Sequence, residues 1–310
     1  MAHEASKLRV LFLASRPKFL TASAAPVLVG SALGYAVTGT FHPLLFVLAL
    51  LTIMTLHAGA NVTNDYFDHV SRNDWLNENP TPFSGGRRFI QQGILSARTT
   101  LLEALFLLTV GSAIGLVIVL LTQSVFVLFL GLAGVLGGFF YTARPIQLGY
   151  RGVGEFVIAL LFGLLPVYGS YYLQAGMIDT VALLPAVIVS VLIFLVILVN
   201  EFPDFPADAA VNKRTLVVCF GVQASVWIYR GMLVASFVPA VAMLTDRVTF
   251  FAGLFYLLTF PIAVLAVKAV NKTDLAKPGR YRASQITVVM HTLGNLALTV
   301  GLVVNAFMRK

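Results

Sequence analysis

A single cysteine in 310 residues, Cys219, excludes an intramolecular disulfide and any metal cage built from thiolates. It falls in an apolar stretch, where inert packing is the expected role. Charge is also scarce. Asp, Glu, Lys and Arg make up 11% of the chain, against roughly 25% in a soluble domain. With 58% hydrophobic residues and a mean hydropathy of +0.89, the chain is built for a solvent that is mostly lipid. No low-complexity tail or linker divides it, so one domain over 1–310 is expected. The net charge of +8 does not point to nucleic acid, because the basic residues fall in short segments between apolar runs. That placement suits orientation in a bilayer and binding of anionic ligands.

Nine segments are long and apolar enough to cross a bilayer core: 18–38, 43–63, 99–121, 124–142, 153–174, 181–200, 216–244, 249–270 and 284–307. The first apolar run, Phe19–Val37, lacks a small-residue cleavage site, so it reads as a retained helix. With the N-terminus in the cytoplasm, eighteen of the 21 Lys and Arg lie on the cytoplasmic side. Only Arg247, Arg309 and Lys310 lie opposite, a strong positive-inside signal that puts the C-terminus outside. In a bacterium this is the inner membrane. The longest loop, roughly 66–98, is cytoplasmic and holds Asn77, Pro80, Gly85 and Gly86. Loops of that length are usually functional.

Of the 13 acids, only Asp179 and Asp246 fall in outside loops. Acids do not set topology, so function is the natural cause. Asn61, Asn64, Asp65 and Asp68 close the second apolar segment with the spacing of one helix face. Asp74 follows in the loop. Asn200-Glu201-Phe202-Pro203-Asp204 closes the sixth segment, with Asp208 four residues later. Pro203 and Pro206 are expected to disturb the helix there. Both stretches read Asn, acid, aromatic, any residue, Asp. They are four spans apart, which returns them to the same side of the membrane. An all-α membrane protein follows, with nine transmembrane helices around a central cavity in two four-helix pseudo-repeats.

Two carboxylate clusters repel unless a cation sits between them. Oxygen ligands select a hard cation, and Mg²⁺ prefers a few carboxylates together with substrate phosphates. Lys213 and Arg214 lie just past the second motif, with Arg72, Arg87, Arg88 and Arg144 in adjacent cytoplasmic loops. Guanidinium forks and ammonium groups match phosphate oxygens. Among apolar helices, this set suits a lipid diphosphate. The expected metal residues are Asn64, Asp65, Asp68, Asp74, Asp204 and Asp208. The expected substrate-binding residues are Asn61, Arg16, Arg72, Arg144, Lys213 and Arg214. Asp68, Asp204, Asp208 and Tyr141 are the catalytic candidates. The bland alternatives are a loop acid for Asp74, a helix-end acid for Glu201, an anchor for Arg16, and interhelical packing for His291 and Asn295. A secondary transporter also explains a repeat with intramembrane acids, but transporter sites usually lie near the midplane rather than at helix ends.

These motifs make the chain resemble the UbiA-type intramembrane prenyltransferases over nearly its whole length. Asn64, Asp65, Asp68 and Asp74 match that family's first Asp-rich motif. Asp204 and Asp208 with Lys213-Arg214-Thr215 match its second. Arg16-Pro17-Lys18, Gly85-Gly86-Arg87-Arg88 and Leu148-Gly149-Tyr150-Arg151-Gly152 further resemble the branch that prenylates 1,4-dihydroxy-2-naphthoate in menaquinone synthesis. The chain departs from the family pattern where Pro145, with Arg144 beside it, stands four residues after Tyr141, and where Asn212 precedes the Lys-Arg-Thr run. The resemblance implies Mg²⁺-dependent transfer of a polyprenyl group from its diphosphate to an aromatic acceptor. Other acceptors used within the family, such as 4-hydroxybenzoate, a chlorin, haem or a glycerol phosphate, remain open at this point.

Overall fold

Helices dominate because lipid cannot satisfy backbone N–H and C=O groups, so each apolar run must close its own hydrogen bonds. The computed structural model describes residues 2–275, 279 and 281–308. Lys277, Arg280, Arg309 and Lys310, four of the charges counted for orientation, lie outside the described residues. The helices are α1 (Ala2–Ala14), α2 (Thr21–Thr38), α3 (Pro43–Val70), α4 (Asn73–Leu76), α5 (Ala97–Thr122) and α6 (Val125–Phe140). They continue with α7 (Gly154–Ala175), α8 (Thr180–Ala210), α9 (Leu216–Met243), α10 (Phe250–Leu257), α11 (Phe260–Ala269), α12 (Lys272–Leu275) and α13 (Arg282–Met308). Among the described residues there is no strand, only an isolated parallel bridge between Arg151 and Arg214.

Every apolar segment of the sequence is helical. Seven helices (α2, α3, α5, α7, α8, α9 and α13) are long and apolar enough to cross a bilayer. The pair α10 and α11, bent by 45° at the break before Pro261, is long and apolar enough for an eighth span when the two are counted as one. Helix α6 has only 16 residues, about 24 Å at 1.5 Å per residue, shorter than a full hydrocarbon core.

Two boundaries differ from the sequence reading in a way that matters. Helix α3 runs on to Val70, so the first acidic motif is helical and the irregular loop is shorter than 66–98. Helix α8 runs on to Ala210 with Pro203 and Pro206 inside it. Membrane bundles tolerate such prolines, because neighbouring groups can satisfy the backbone they free. Asn200, Asp204 and Asp208 therefore recur every four residues along one side of an unbroken helix.

Helix α8 is the spine of the bundle. Leu192, Leu195, Leu198 and Val199 are fully buried in a core shared with α2, α7, α9, α10 and α13. Close packing rests on small residues. Gly30 and Gly34, a Gly-x-x-x-Gly pair, bring α2 onto α7. A Cβ at Gly30 would sit 2.2 Å from the Val167 carbonyl oxygen, so no other residue fits. Cys219 corrects its expectation: it is exposed rather than packed inside. Arg230 is also not a loop charge. It lies within α9 and donates to the Val270 carbonyl at 3.0 Å. His291 and Asn295 are buried, and Asn295 donates to the His291 carbonyl within α13.

Candidate active site

The two acidic motifs meet at a cavity of about 200 Å³ at the ends of α3 and α8. Asn61, Asn64 and Asp68 line it from α3, Asp74 from α4, and Asn200, Glu201, Asp204 and Asp208 from α8. Arg16, Tyr141 and Lys213 line it too. Deeper in the bundle the wall turns apolar, with Phe162, Ile193, Val196 and Ile197. One end is thus charged and the other is hydrocarbon-like.

Lys213 joins the two motifs. Its Nζ lies 3.5 Å from Asp68 Oδ2 and 3.5 Å from Asp208 Oδ1. Burial alone would lower the Lys213 pKa, but Asp208 and Asp68 outweigh it and push it well above the ordinary value. The turn that presents Lys213 is fixed on three sides. Its own N–H donates to the Asp208 carbonyl at 2.8 Å. Thr215 caps α9 by accepting from the Val218 N–H. The buried Glu155 carboxylate accepts the Leu216 N–H at 2.6 Å.

Arg16 does the corresponding work for the first motif. It sits where α1 turns into α2 and pairs with Asp65. Desolvation opposes its charge, but Asp65 prevails and raises the guanidinium pKa further. The segment after α3 folds over both motifs. Asn73 donates to Asp208 Oδ1 at 2.8 Å, and Asn77 donates to Asp204 Oδ1 at 2.7 Å. The Gly85 N–H donates to Asp204 Oδ2 at 3.2 Å, and the Arg87 N–H donates to Asp65 Oδ2 at 3.4 Å. Gly85 and Gly86 both have positive φ, which this crossing requires. A Cβ at Gly86 would lie 3.0 Å from Asp74 Oδ2 and 3.1 Å from Asp65 Oδ1. The glycine keeps open the space beside those two carboxylates.

Asp74 carries the strain of this crowding. Burial, and then the charges of Asp68 and Asp65, push its carboxyl up to about 8. Among the described residues, no three His, Cys, Asp or Glu side chains converge as a metal site by themselves. The donor set is nevertheless all oxygen: buried carboxylates with the amides of Asn61, Asn64 and Asn200 beside them. Such a set fits a hard cation that takes its remaining ligands from elsewhere.

Four expected residues do not line the cavity, and one of them, Asp65, is buried and held by Arg16. Arg72, Arg144 and Arg214 are exposed and are absent from its lining. Arg72 precedes α4 with a positive φ, and Arg214 is held through its backbone against Tyr150. Conversely, Tyr150 donates to Asp68 Oδ1 at 3.1 Å, and His57 lines the deeper wall, with Ser23 2.5 Å from its Nδ1. Asn73 was equally unmarked in the sequence. His57 carried a signal, since it lies seven residues before Asn64 and so shares that helix face. Asn73 carried none and Tyr150 only its place in the Leu148–Gly152 stretch, because their partners are 135 and 82 residues away in sequence.

Known proteins agree with this fold. Residues 23–305 match the UbiA prenyltransferase family. The chain is 32% identical over 308 residues to the 1,4-dihydroxy-2-naphthoate octaprenyltransferase of Haemophilus influenzae, covering 95% of this chain and 97% of that protein. It is 30% identical over 263 residues to the enzyme of the same name from Mycobacterium leprae, covering 83% and 84%. A solved UbiA homolog from Archaeoglobus fulgidus, bound to GPP and Mg²⁺, superposes with a TM-score of 0.71. That pair is 15% identical and the match covers 95% of this chain and 99% of the other, so it speaks for the fold. With a helical bundle, paired acidic motifs and a cavity that is charged at one end and apolar at the other, the chain belongs to the UbiA prenyltransferase family and is a membrane-embedded prenyl-transferring enzyme.

Proposed function

We propose that the protein transfers a polyprenyl group from its diphosphate to 1,4-dihydroxy-2-naphthoate, the step that supplies the prenylated ring of menaquinone. The observation that carries this reading is the Lys213 bridge, which unites the two acidic motifs at the mouth of one apolar cavity. The relatives named for the same acceptor support it.

Asp65, Asp68, Asp74 and Asn64 would hold one Mg²⁺, and Asp204 and Asp208 a second. When bound, the ions supply Lewis-acid stabilisation of the departing diphosphate. Lys213 and Arg16 face the same charge and need no reorganisation when it develops. The bond from the allylic carbon to the diphosphate oxygen breaks, and its electron pair leaves with the diphosphate. Phe162, Ile193, Val196 and Ile197 keep water from the resulting cation. Tyr141 lines the same cavity, and its ring would face the allylic cation or the diphosphate. The electron-rich ring attacks at the carboxyl-bearing carbon. Loss of CO₂ restores aromaticity, and a carboxylate of the cluster takes the phenolic proton. Asp68, Asp74 and Asp204 are the candidates for that proton.

For topology, we infer nine crossings, counting α6 and the bent pair of α10 and α11. The N-terminus and site face the cytoplasm of a bacterial inner membrane and the C-terminus lies outside, in line with the Lys and Arg distribution. The test is an assay of purified protein with farnesyl to octaprenyl donors, a panel of aromatic acceptors, and Mg²⁺ present or removed. Transfer to dihydroxynaphthoate that needs Mg²⁺ and is lost in Asp68→Ala and Asp204→Ala is expected. Full, EDTA-insensitive transfer in either variant refutes the mechanism.

A further inference from the structure

Apolar walls keep water from a reacting centre, but they give the oxygens of an aromatic acceptor nothing to bind. Among the apolar residues of the active-site cavity stands one imidazole, His57. The mechanism above leaves it unused. It lies on α3, four residues before Asn61 and seven before Asn64, so the three share one helix face. At 1.5 Å per residue it sits about 10 Å along the helix from Asn64, on the side away from the acidic motif. His57 is therefore beyond the groups that would hold the metal, level with the allylic carbon and the ring that attacks it.

The ring is held on two sides. Ser23 Oγ, on α2, lies 2.5 Å from Nδ1. The Phe162 ring meets it edge-on, with centroids 4.7 Å apart and planes at 67°. Hydrogen-bond accounting then places the hydrogen of the imidazole. Ser23 is fully buried, and among the described residues its hydroxyl has no acceptor other than Nδ1. A buried hydroxyl proton left unpaired is costly, so Ser23 donates and Nδ1 accepts. Nε2 therefore carries the ring hydrogen. That N–H has no partner among the described residues, and His57 is not sealed away: it is half-buried and lines the cavity. His291 gives the contrast. Its Nε2 is also unpartnered, but it is buried and His291 is absent from the cavity lining. A hydrocarbon tail offers an N–H nothing, whereas a hydroxylated aromatic acid offers it an oxygen.

We propose that His57 selects the aromatic acceptor: its Nε2–H donates to a phenolic oxygen and so fixes which ring carbon faces the allylic carbon. The inference rests on the prenyl-transfer reading above and adds to it the residue that reads the acceptor. Small neighbours leave room for a flat bicyclic ring, since Ala22, Ala60 and Gly138 line the same cavity. Ser23 is a positioning residue, because it acts through the imidazole and is itself absent from the lining.

The experiment compares wild type, His57→Gln, His57→Phe and Ser23→Ala with one polyprenyl diphosphate donor and Mg²⁺, and gel filtration to show that each folds. Glutamine keeps an N–H donor near the place of Nε2, and phenylalanine keeps the bulk without it. His57→Phe should raise the KM for dihydroxynaphthoate about 10-fold or more and leave the KM for the donor within about 2-fold, as when a site loses a hydrogen bond to one substrate. His57→Gln should recover to within about 3-fold of wild type. Two competing ligands locate the contact: 1-hydroxy-2-naphthoate lacks one hydroxyl of the acceptor and 4-hydroxy-2-naphthoate lacks the other. In wild type the analogue that keeps the contacted oxygen should bind about 10-fold more tightly, and His57→Phe should erase that preference. Ser23→Ala leaves the ring in place and should shrink it; an undiminished preference there overturns the proposal even where His57→Phe does not fold. The proposal is equally overturned if the KM of donor and acceptor rise alike in His57→Phe, as a packing defect would make them, or if neither changes. A wild type that transfers nothing to dihydroxynaphthoate refutes the acceptor reading itself, and this inference with it.

Discussion

Lys213 is the side chain on which the site turns, and replacing it with Met separates its charge from its bulk. At 3.5 Å and an effective dielectric of about 20, each of its two carboxylate contacts is worth about 5 kcal/mol of Coulomb energy. Both carboxylates are nearly buried, so solvent screening removes little of this. Each lies 3.5 Å from the same nitrogen, so the two oxygens are at most about 7 Å apart. Without the ammonium they repel by about 2 kcal/mol or more at that dielectric. Desolvation of Lys213 offsets part of the gross loss, and breaking a buried pair typically leaves a net 3–5 kcal/mol. Protonation of one carboxyl would relieve the repulsion, and that removes a metal ligand. Lys213→Met should therefore lower kcat/KM for prenyl transfer by roughly 10²–10³, as loss of a preorganised donor does. Lys213→Arg keeps the charge and should recover part of it. The assay is steady-state transfer at saturating Mg²⁺ in detergent, with gel filtration to show the fold is kept. A folded Lys213→Met enzyme within about 3-fold of wild type would refute the bridge as the organising contact.

Gly86→Ala should lower activity about 10-fold or more, because its Cβ would enter the space between Asp74 and Asp65 and its φ of +66° is strained for alanine by about 1–2 kcal/mol. Gly93→Ala is the matched control: its φ is +69° with nothing within 4 Å, so it should cost stability but not transfer. The raised Asp74 pKa makes a pH prediction. In the metal-free protein its contribution to stability is fully present below the unfolded value near 4 and is lost as pH rises through about 8. Mg²⁺ must displace that proton, so its affinity should climb up to about 10-fold per unit between pH 6 and 8 and then level off. Calorimetry across that range would show a flat profile if Asp74 were not near the metal. The cavity's four aspartates against Arg16 and Lys213 also predict that a diphosphate binds at least 10-fold more weakly in EDTA than in Mg²⁺. Equal affinity by calorimetry would mean the acids do not act through a cation.

How much could be read from the residues alone follows from the range of the interactions. The α3 face of Asn61, Asn64 and Asp68 was legible because helical periodicity is local, and all three line the cavity. The partnership of α3 with α8 was legible because the motif repeats. Lys213 was found by its place just past the second motif. Its bridge to Asp68 was not, since that contact spans 145 residues. The three arginines misplaced at the cavity failed for one reason. Loop membership gives a side of the membrane but not a direction, and Arg72, Arg144 and Arg214 point outward. The prolines in α8 misled because helix rules drawn from water overstate the penalty where a bundle supplies other partners. The glycine contacts that hold α2 on α7 depend on tertiary approach and left no trace beyond small residues.

The two motifs look like copies in sequence, yet the structure treats them unequally. The first is paired with a guanidinium from the segment before α2, Arg16. The second is held by amides from the segment that follows the first, Asn73 and Asn77, with the Gly85 N–H. Lys213 alone reaches both. The motifs therefore cannot form independently: the loop that leaves the first is the wall of the second. A substitution in the loop should then disturb Asp204 and Asp208 more than Asp65. This asymmetry also explains why the acids tolerate such proximity. Five carboxylates share two cations and a set of amide donors, so the resting site keeps an excess of acid groups that protons, as on Asp74, or bound cations must neutralise. An excess held in place by fixed donors is what a diphosphate site needs, because the charge that attracts the substrate is then supplied by the metal and is released with the product.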